Sequence, residues 1–189
     1  MKNRLRTFIA VSLSPSVLAG VGKLIRSLQV SLEGAHWVEP KNLHVTLQFL
    51  GDVPLNDLPL LIRAVTQSLH QTDSFDLTFQ GVGAFPNQES PKTIWIGCRE
   101  GSEDLKQLAE RICNGLIPLG FPKEARNFSP HLTIGRIKKV DLRLPLMSLL
   151  DEQQNRLFGS CSVSEVQIFS SELTRRGPIY DELATIPLR

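Results

Sequence analysis

The sequence contains little of what usually identifies a metal or disulfide protein. Only three cysteines occur in 189 residues, Cys98, Cys113 and Cys161. They are widely spaced and odd in number, so they predict neither a disulfide framework nor a metal site. They are typical of small, half-buried hydrophobic side chains in a reducing cytosol. The net charge is only +2, so composition alone does not predict nucleic-acid binding. A function on nucleic acid would therefore depend on where individual charges lie.

Long hydrophobic runs are also missing. The basic residues 1–6 and the apolar residues 7–13 resemble a signal peptide, but the run is short and Ser14-Pro15 is a helix-start signal. We therefore expect residues 7–13 to form a buried strand, and the protein to be cytoplasmic with no membrane partner. With 41 % apolar and 21 % charged residues, the chain suits one globular unit, or two small lobes that share a core.

Strand and helix patterns alternate along the chain. Apolar residues recur at helical spacing near 17–28, 58–69, 105–116 and 146–150. Short β-branched or alternating segments predict strands near 7–13, 37–38, 44–50, 75–79, 93–98, 131–137, 163–169 and 180–186. The sequence therefore predicts an α/β (α+β) fold.

The two halves of the chain align when one is shifted by 87 residues. Under this shift Phe8 falls on Trp95 within two strands, one helix face falls on another, and Thr46 falls on Thr133. Three elements in register indicate an internal duplication. We therefore expect residues 1–189 to form a single bilobal domain. Its two pseudo-symmetric lobes would each be a mostly antiparallel sheet with helices outside, arranged around a central cleft.

A His-x-Thr-x motif occurs twice, beginning at His44 and at His131. Residues i and i+2 of a strand share a face, so His44 projects with Thr46, and His131 with Thr133. Imidazole acts as general acid or general base near neutral pH, and hydroxyls donate hydrogen bonds to phosphate oxygens. Histidine is also a common metal ligand, but neither motif contains an Asp, Glu or Cys to complete a metal shell. The motifs therefore predict hydrolysis of a phosphodiester without a metal.

Four segments are similar to those of one known family. They are residues 5–11 (LRTFIAV), 37–51 (WVEPKNLHVTLQFLG), 126–136 (RNFSPHLTIGR) and 172–173 (EL). On these residues the chain resembles the two-histidine (2H) phosphoesterase superfamily. More narrowly, it resembles the bacterial and archaeal RNA 2′,3′-cyclic phosphodiesterases, historically called 2′-5′ RNA ligases. The resemblance implies two α/β lobes around a deep, positively lined cleft. It also implies hydrolysis of a 2′,3′-cyclic phosphate at an RNA 3′ end to a 2′-phosphate.

The resemblance further implies a role for each motif residue. His44 would be the proton donor to the departing 3′ oxygen, and His131 the proton acceptor that activates water. Thr46 and Thr133 would hold the phosphate. The sequence symmetry of the motifs does not itself distinguish the acid from the base.

Two arginines flank the second motif only. Arg126 and Arg136 stand where the shifted first half has Glu39 and Phe49. Arginine binds phosphate bidentately, so both are candidate substrate-binding residues. On a regular strand Arg136 would face away from His131, unless a bulge or twist intervenes. Aromatic residues that could stack on a base, although strand aromatics more often lie in a core, are Phe8, Trp37, Trp95 and Phe128.

The partners implied by the resemblance are RNA 3′ ends, on tRNA halves or oligonucleotides, that carry a cyclic phosphate. We expect no cofactor, no metal and a monomeric protein. Reverse 2′-5′ ligation is disfavoured in water. One alternative is a relative acting on ADP-ribose cyclic phosphate or 2′-5′ oligoadenylate. Two others are a nucleotide or RNA binding module without turnover, and a metal-dependent hydrolase that a chelator would inactivate. The intact His-x-Thr pairs favour an enzyme.

Overall fold

A computed structural model gives the structure of the protein and describes residues 3–31, 34–88, 90–121, 128–137, 143–175 and 177–189. Within these ranges no helix is long and apolar enough to cross a membrane. The elements in chain order are β1 (Arg4–Val11), α1 (Pro15–Ser31), β2 (Ala35–Trp37), a 3-10 turn (Pro40–Asn42), β3 (Val45–Pro54), α2 (Leu58–Ser68), β4 (Phe75–Phe85), β5 (Thr93–Cys98), α3 (Ser102–Leu116), β6 (His131–Ile137), α4 (Arg143–Glu152), β7 (Leu157–Val163), β8 (Glu165–Thr174) and β9 (Gly177–Pro187).

The strands form two antiparallel sheets. One sheet has the order β3-β1-β8-β9, and the other has the order β2-β6-β5-β4-β7. The two orders correspond, because β3, β1, β8 and β9 occupy the places that β6, β5, β4 and β7 occupy in the second sheet. The motif strands β3 and β6 contact each other where the two sheets meet. The predicted α/β fold of two antiparallel sheets with helices is confirmed.

The helices are exchanged between the sheets. α1 follows β1 in the chain but crosses the five-stranded sheet from β7 to β2. Gly20 permits the close approach, since a Cβ there would lie 2.8 Å from the carbonyl oxygen of Phe158 in β7. α3 follows β5 but packs with α2 and contacts β3 of the four-stranded sheet. Helix α1 therefore covers the sheet that contains β5 and β6, and α3 contacts the sheet that contains β1 and β3.

The core is continuous across both sheets and includes the side chains that alternate with the motif residues. Val45, Leu132 and Ile134 are fully buried, and Leu47 is nearly so. The histidines and threonines of the motifs are half-buried. Because side chains alternate along a strand, the buried residues of each motif hold its histidine and threonine in place from the opposite face.

The 87-residue shift places strand on strand, but it does not place paired residues on paired residues. Thr46 pairs with Ala10 of β1, whereas Thr133 pairs with Trp95 of β5. Gly97, the shifted equivalent of Ala10, pairs with His131. The two lobes therefore differ by two residues in strand register, and placing Phe8 on Trp95 was wrong at the level of pairing.

Two strand predictions need correction. β7 was not predicted, because its seven residues include Gly159 and two serines and so have little apolar alternation. β4 was predicted to end near residue 79, but it continues to Phe85. Gly81 has a φ of +75° at a register shift, so it forms a bulge inside the strand instead of ending it.

Candidate active site

The two motif histidines make the same hydrogen bond. Nδ1 of His44 lies 2.8 Å from the carbonyl oxygen of Asn42, and Nδ1 of His131 lies 2.7 Å from that of Ser129. A carbonyl oxygen only accepts, so Nδ1 carries the proton in both rings and donates it. The reactive atom of each imidazole is therefore Nε2, which accepts a proton in the neutral ring and donates one in the imidazolium.

Both motifs contain a β-bulge at the same position. Thr46 and Gln48 pair with successive residues of β1, so Leu47 has no partner. Ile134 is skipped in the same way between Thr133 and Gly135. Each bulge inserts one residue and resets the alternation of the strand.

The bulge in β6 decides where Arg136 points. His131, Thr133 and Arg136 pair with Gly97, Trp95 and Thr93, which alternate regularly along β5. Paired residues share a face, so Arg136 lies on the same face as the motif residues. The condition set by the sequence, that a bulge must intervene, is met. Arg126, the other predicted phosphate ligand, lies outside the described residues.

Phe49 is the counterpart of Arg136 in the first lobe. It pairs with Phe8 after the bulge at Leu47, and its ring lies 6.0 Å from the Phe8 ring. Its side chain is 57 % exposed, so it offers an aromatic ring on the face that carries the motif histidine and threonine, which is called the cleft face. Phe8 is only 2 % exposed, which leaves it no free face for a base. Phe8 was predicted as a residue that could stack on a base, whereas Phe49 was not.

Aromatic rings enclose His44. The ring centroid of Phe8 lies 4.8 Å from that of His44, and Tyr180 meets the imidazole edge-on at 5.3 Å and 86°. Burial lowers the pKa of His44, and the hydrogen bond to the Asn42 carbonyl opposes this change. The neutral form of this imidazole is therefore favoured more than in an exposed histidine.

Strand β9 supports His44 in two ways. Tyr180 supplies the edge-on ring, and the carbonyl oxygen of Pro178 accepts a hydrogen bond of 3.0 Å from Nδ2 of Asn42. Asn42 in turn holds Nδ1 of His44 through its own carbonyl. Sequence reasoning missed both residues. The available signal was weak: Tyr180 is the single tyrosine of the chain, and Asn42 falls within the segment 37–51.

Aromatic rings also support His131. The ring of Phe85 meets His131 edge-on at 5.0 Å, and Trp95 lies 5.1 Å from Phe85. The indole of Trp95 lies directly over Gly83, where a Cβ would overlap it. Its Nε1 is buried and has no hydrogen-bond partner in the described part of the chain. The cleft face of β4 and β5 is therefore an aromatic surface beside His131 and Thr133.

A cavity of about 330 Å³ opens beside His44. It lies between the end of β1, the turn before β3 and the strands β8 and β9, and its wall includes Phe169 and Tyr180. This volume is near the lower end of the range for small-molecule sites. Among the described residues, no three His, Cys, Asp or Glu side chains are grouped to hold a metal ion.

The family is decided by a sequence comparison that spans both motifs. The family model described as the 2′-5′ RNA ligase superfamily matches residues 16–175. The chain belongs to the 2′-5′ RNA ligase superfamily. The predicted resemblance to two-histidine phosphoesterases is therefore confirmed.

Relatives in this superfamily match nearly the whole chain. A protein of Methanothermobacter thermautotrophicus named RNA 2′,3′-cyclic phosphodiesterase is 35 % identical over 185 residues, which cover 98 % of this chain and 100 % of the relative. One of the same name from Aquifex aeolicus is 35 % identical over 176 residues, 93 % of each chain. The crystal structure of TT0787 from Thermus thermophilus superposes with a TM-score of 0.84 at 28 % identity, covering 98 % of both chains. E. coli LigT in its apo form has the same fold, with a TM-score of 0.77 at 24 % identity over 98 % of both chains.

Proposed function

We propose that this protein hydrolyses 2′,3′-cyclic phosphates at RNA 3′ ends to 2′-phosphates, by acid–base catalysis between His44 and His131. The observation that carries the proposal is the matched pair of Nδ1 hydrogen bonds, which leaves both Nε2 atoms for proton transfer. The substrate class is supported by the relatives named RNA 2′,3′-cyclic phosphodiesterase, which align over nearly the full length.

In this mechanism His131 takes a proton from water through Nε2. The water oxygen attacks phosphorus, and the bond from phosphorus to the 3′ oxygen breaks. His44 donates its Nε2 proton to that oxygen, which becomes a hydroxyl, while the phosphate stays on the 2′ oxygen. His131 ends protonated and His44 neutral, and exchange with solvent restores both rings. Each proton transfer contributes about 10²- to 10⁴-fold in rate.

Substrate binding prepares His44 for its role as donor. Burial favours its neutral ring in the free protein, whereas the donor must be an imidazolium. The negative charge of a bound phosphate favours the charged ring and raises its pKa. The protein therefore acquires the acidic form of His44 together with its substrate.

Thr46, Thr133 and Arg136 hold the phosphate in the proposal. The two hydroxyls share the cleft face with the histidines, and the bulge brings the guanidinium of Arg136 to the same face. Hydrogen bonds from these donors stabilise the charge that grows on the non-bridging oxygens. Arg126 remains a predicted ligand from the flanking segment. Ligation would be the same displacement with a 5′ hydroxyl in place of water, which gives a 2′-5′ phosphodiester and a free 3′ hydroxyl, and excess water disfavours it.

The test is incubation with a short RNA that ends in a 2′,3′-cyclic phosphate, in excess chelator. Wild type should produce the 2′-phosphate, while His44→Ala and His131→Ala should each lose about 10²-fold or more in kcat. His70→Ala is the matched control, because His70 is exposed in the turn after α2 and should leave kcat unchanged.

Three other results would contradict the proposal. Loss of wild-type activity in chelator would indicate a metal-dependent hydrolase. Binding of the RNA without turnover would indicate a binding module. Turnover of ADP-ribose cyclic phosphate or 2′-5′ oligoadenylate, with no turnover of the RNA, would move the protein to another phosphodiester substrate.

A further inference from the structure

Arg6 lies on the cleft face of the four-stranded sheet. All eight residues of β1 have paired partners, so Arg6, Phe8 and Ala10 alternate onto one face. On that face the Phe8 ring contacts the imidazole of His44. Arg6 is exposed and stands about 7 Å from Phe8 along the strand. A cation is therefore held on a rigid strand close to the candidate active site.

The guanidinium of Arg6 is not used by the described part of the chain. It makes no hydrogen bond or ion pair there, although Asp52 lies opposite it in the strand register. Arg4 on the same strand and face differs, because its Nε and Nη2 donate to the carbonyl oxygen of Asp52 at 3.1 and 3.0 Å. The donors of Arg6 are thus available to an anion from solution.

Arg6 and Arg136 lie on strands of different sheets, and the charges of both reach Tyr180. Burial raises the pKa of the Tyr180 hydroxyl, and the charges of Arg136 and Arg6 both lower it. Tyr180 itself packs against His44. In the proposed mechanism Arg136 already faces the reacting phosphate. Arg6 is a second cation nearby, on the other sheet, and it could bind a second anion.

We propose that Arg6 binds the phosphodiester that precedes the cyclic end, so that the protein selects RNA chains over cyclic mononucleotides. This inference rests on the proposed function. A cyclic mononucleotide has one phosphate, whereas the last nucleotide of an RNA carries another on its 5′ oxygen. The planar fork of arginine matches two oxygens of such a phosphate. The contact lies away from the bond that breaks, so it should act mainly through KM.

The experiment compares two substrates across three variants. The substrates are adenosine 2′,3′-cyclic phosphate and the dinucleotide ApA ending in a 2′,3′-cyclic phosphate. The variants are Arg6→Gln, Arg6→Lys and the matched control Arg4→Gln. The quantity measured is the ratio of kcat/KM for the dinucleotide to kcat/KM for the mononucleotide. Thermal unfolding of each variant checks the fold, which should be unaffected because both side chains are exposed.

Wild type should prefer the dinucleotide, and Arg6→Gln should lower that preference about tenfold or more, as expected for a hydrogen-bonded charge. Arg6→Lys should keep part of the preference, and Arg4→Gln all of it. The plot of log kcat/KM for the dinucleotide against log salt should become less steep by about 0.7 in Arg6→Gln.

Several outcomes would overturn the inference. Equal losses on both substrates in Arg6→Gln would place Arg6 at the reacting phosphate or in support of His44 through Tyr180. An unchanged ratio of kcat/KM values would show that Arg6 does not contact the RNA. The same loss of preference in Arg4→Gln would show that the positive charge of the strand acts on the RNA without a specific contact from Arg6. A wild type that turns over neither substrate would instead refute the proposed function itself.

Discussion

Leu47 and Ile134 occupy the same place in two strands that lie 87 residues apart, and each is the residue that a β-bulge leaves without a partner. Each is also the last residue of its His-x-Thr-x motif. The two motif strands therefore share a backbone irregularity as well as the histidine and the threonine. The bulge extends the functional face of each strand to the fifth residue after the histidine, which is Phe49 in one lobe and Arg136 in the other.

The placement of Arg136 predicts a loss of phosphate binding when its charge is removed. We expect Arg136→Gln to lower kcat/KM for an RNA cyclic phosphate by about 10- to 100-fold, the range for hydrogen bonds to a charged group. Steady-state kinetics provide the measurement. Arg63→Gln, an exposed arginine on α2, is the control and should change nothing. Wild-type kinetics in Arg136→Gln would mean that the guanidinium does not reach the phosphate.

The enclosure of His44 predicts a titration that depends on the ring of Tyr180. Replacing Tyr180 by Leu opens one side of the imidazole to water, which relieves the desolvation that lowers the pKa of His44. The pKa of His44 should therefore rise in Tyr180→Leu and stay low in Tyr180→Phe. An NMR titration of the His44 Cε1 proton measures it directly. If the pKa of His44 is unchanged in Tyr180→Leu, residues other than Tyr180 are responsible for the burial of the imidazole.

The same burial predicts a pH dependence of stability. Above about pH 6.5 His44 is neutral in the folded and the unfolded chain, so it adds no pH dependence. Below that pH the unfolded chain binds a proton that the folded chain resists, because the pKa of His44 is lowered in the fold. The free energy of unfolding should then fall as pH decreases through the lowered pKa. Urea denaturation at pH 7.5 and 5.5 should show a smaller fall for His44→Asn than for wild type. Equal falls in the two proteins would count against a desolvated His44.

The contact between the Trp95 indole and Gly83 predicts that adding a methyl group at position 83 disturbs the surroundings of His131. In Gly83→Ala the new Cβ would overlap the indole, and overpacking of this kind costs about 1–3 kcal/mol. Because Trp95 pairs with Thr133 and contacts Phe85, kcat should fall as well. Chemical denaturation and kinetics measure the two effects.

The matched control for that variant is Gly22→Ala in α1. A Cβ there meets only the end of the flexible Arg26 side chain at 3.5 Å. Alanine is favoured over glycine inside a helix by roughly 0.5–1 kcal/mol, so this variant should be slightly more stable than wild type. If Gly83→Ala is as stable as wild type, the indole has another position available.

Local patterns predicted the elements that have strong local signals. The bounds of β5 and β6 agree with the prediction from β-branched and apolar runs, and α1 begins at the Pro15 that its start signal indicated. β7 and the second half of β4 were missed, because their glycines fit against Gln154, the Trp95 indole and Val17, which lie in other segments of the chain. Such signals exist only in the folded structure.

The site was predictable only in part, for a similar reason. The histidines, the threonines and the condition for Arg136 follow from spacing along the chain. Asn42 and Tyr180 depend on contacts between segments more than 130 residues apart, such as the hydrogen bond from Asn42 to Pro178. No periodicity in the sequence contains that information.

The exchange of helices has a consequence for how the two motifs are held in place. The connection between β4 and β5 separates two halves of the chain, and neither half contains a complete sheet, because β8 and β9 complete the sheet of β1 while β4 lies between β5 and β7. The helices cross in the same way, since α1 packs on β7 and β2 while α3 contacts β3. The strands of His44 and His131 therefore depend on packing that both halves of the chain supply.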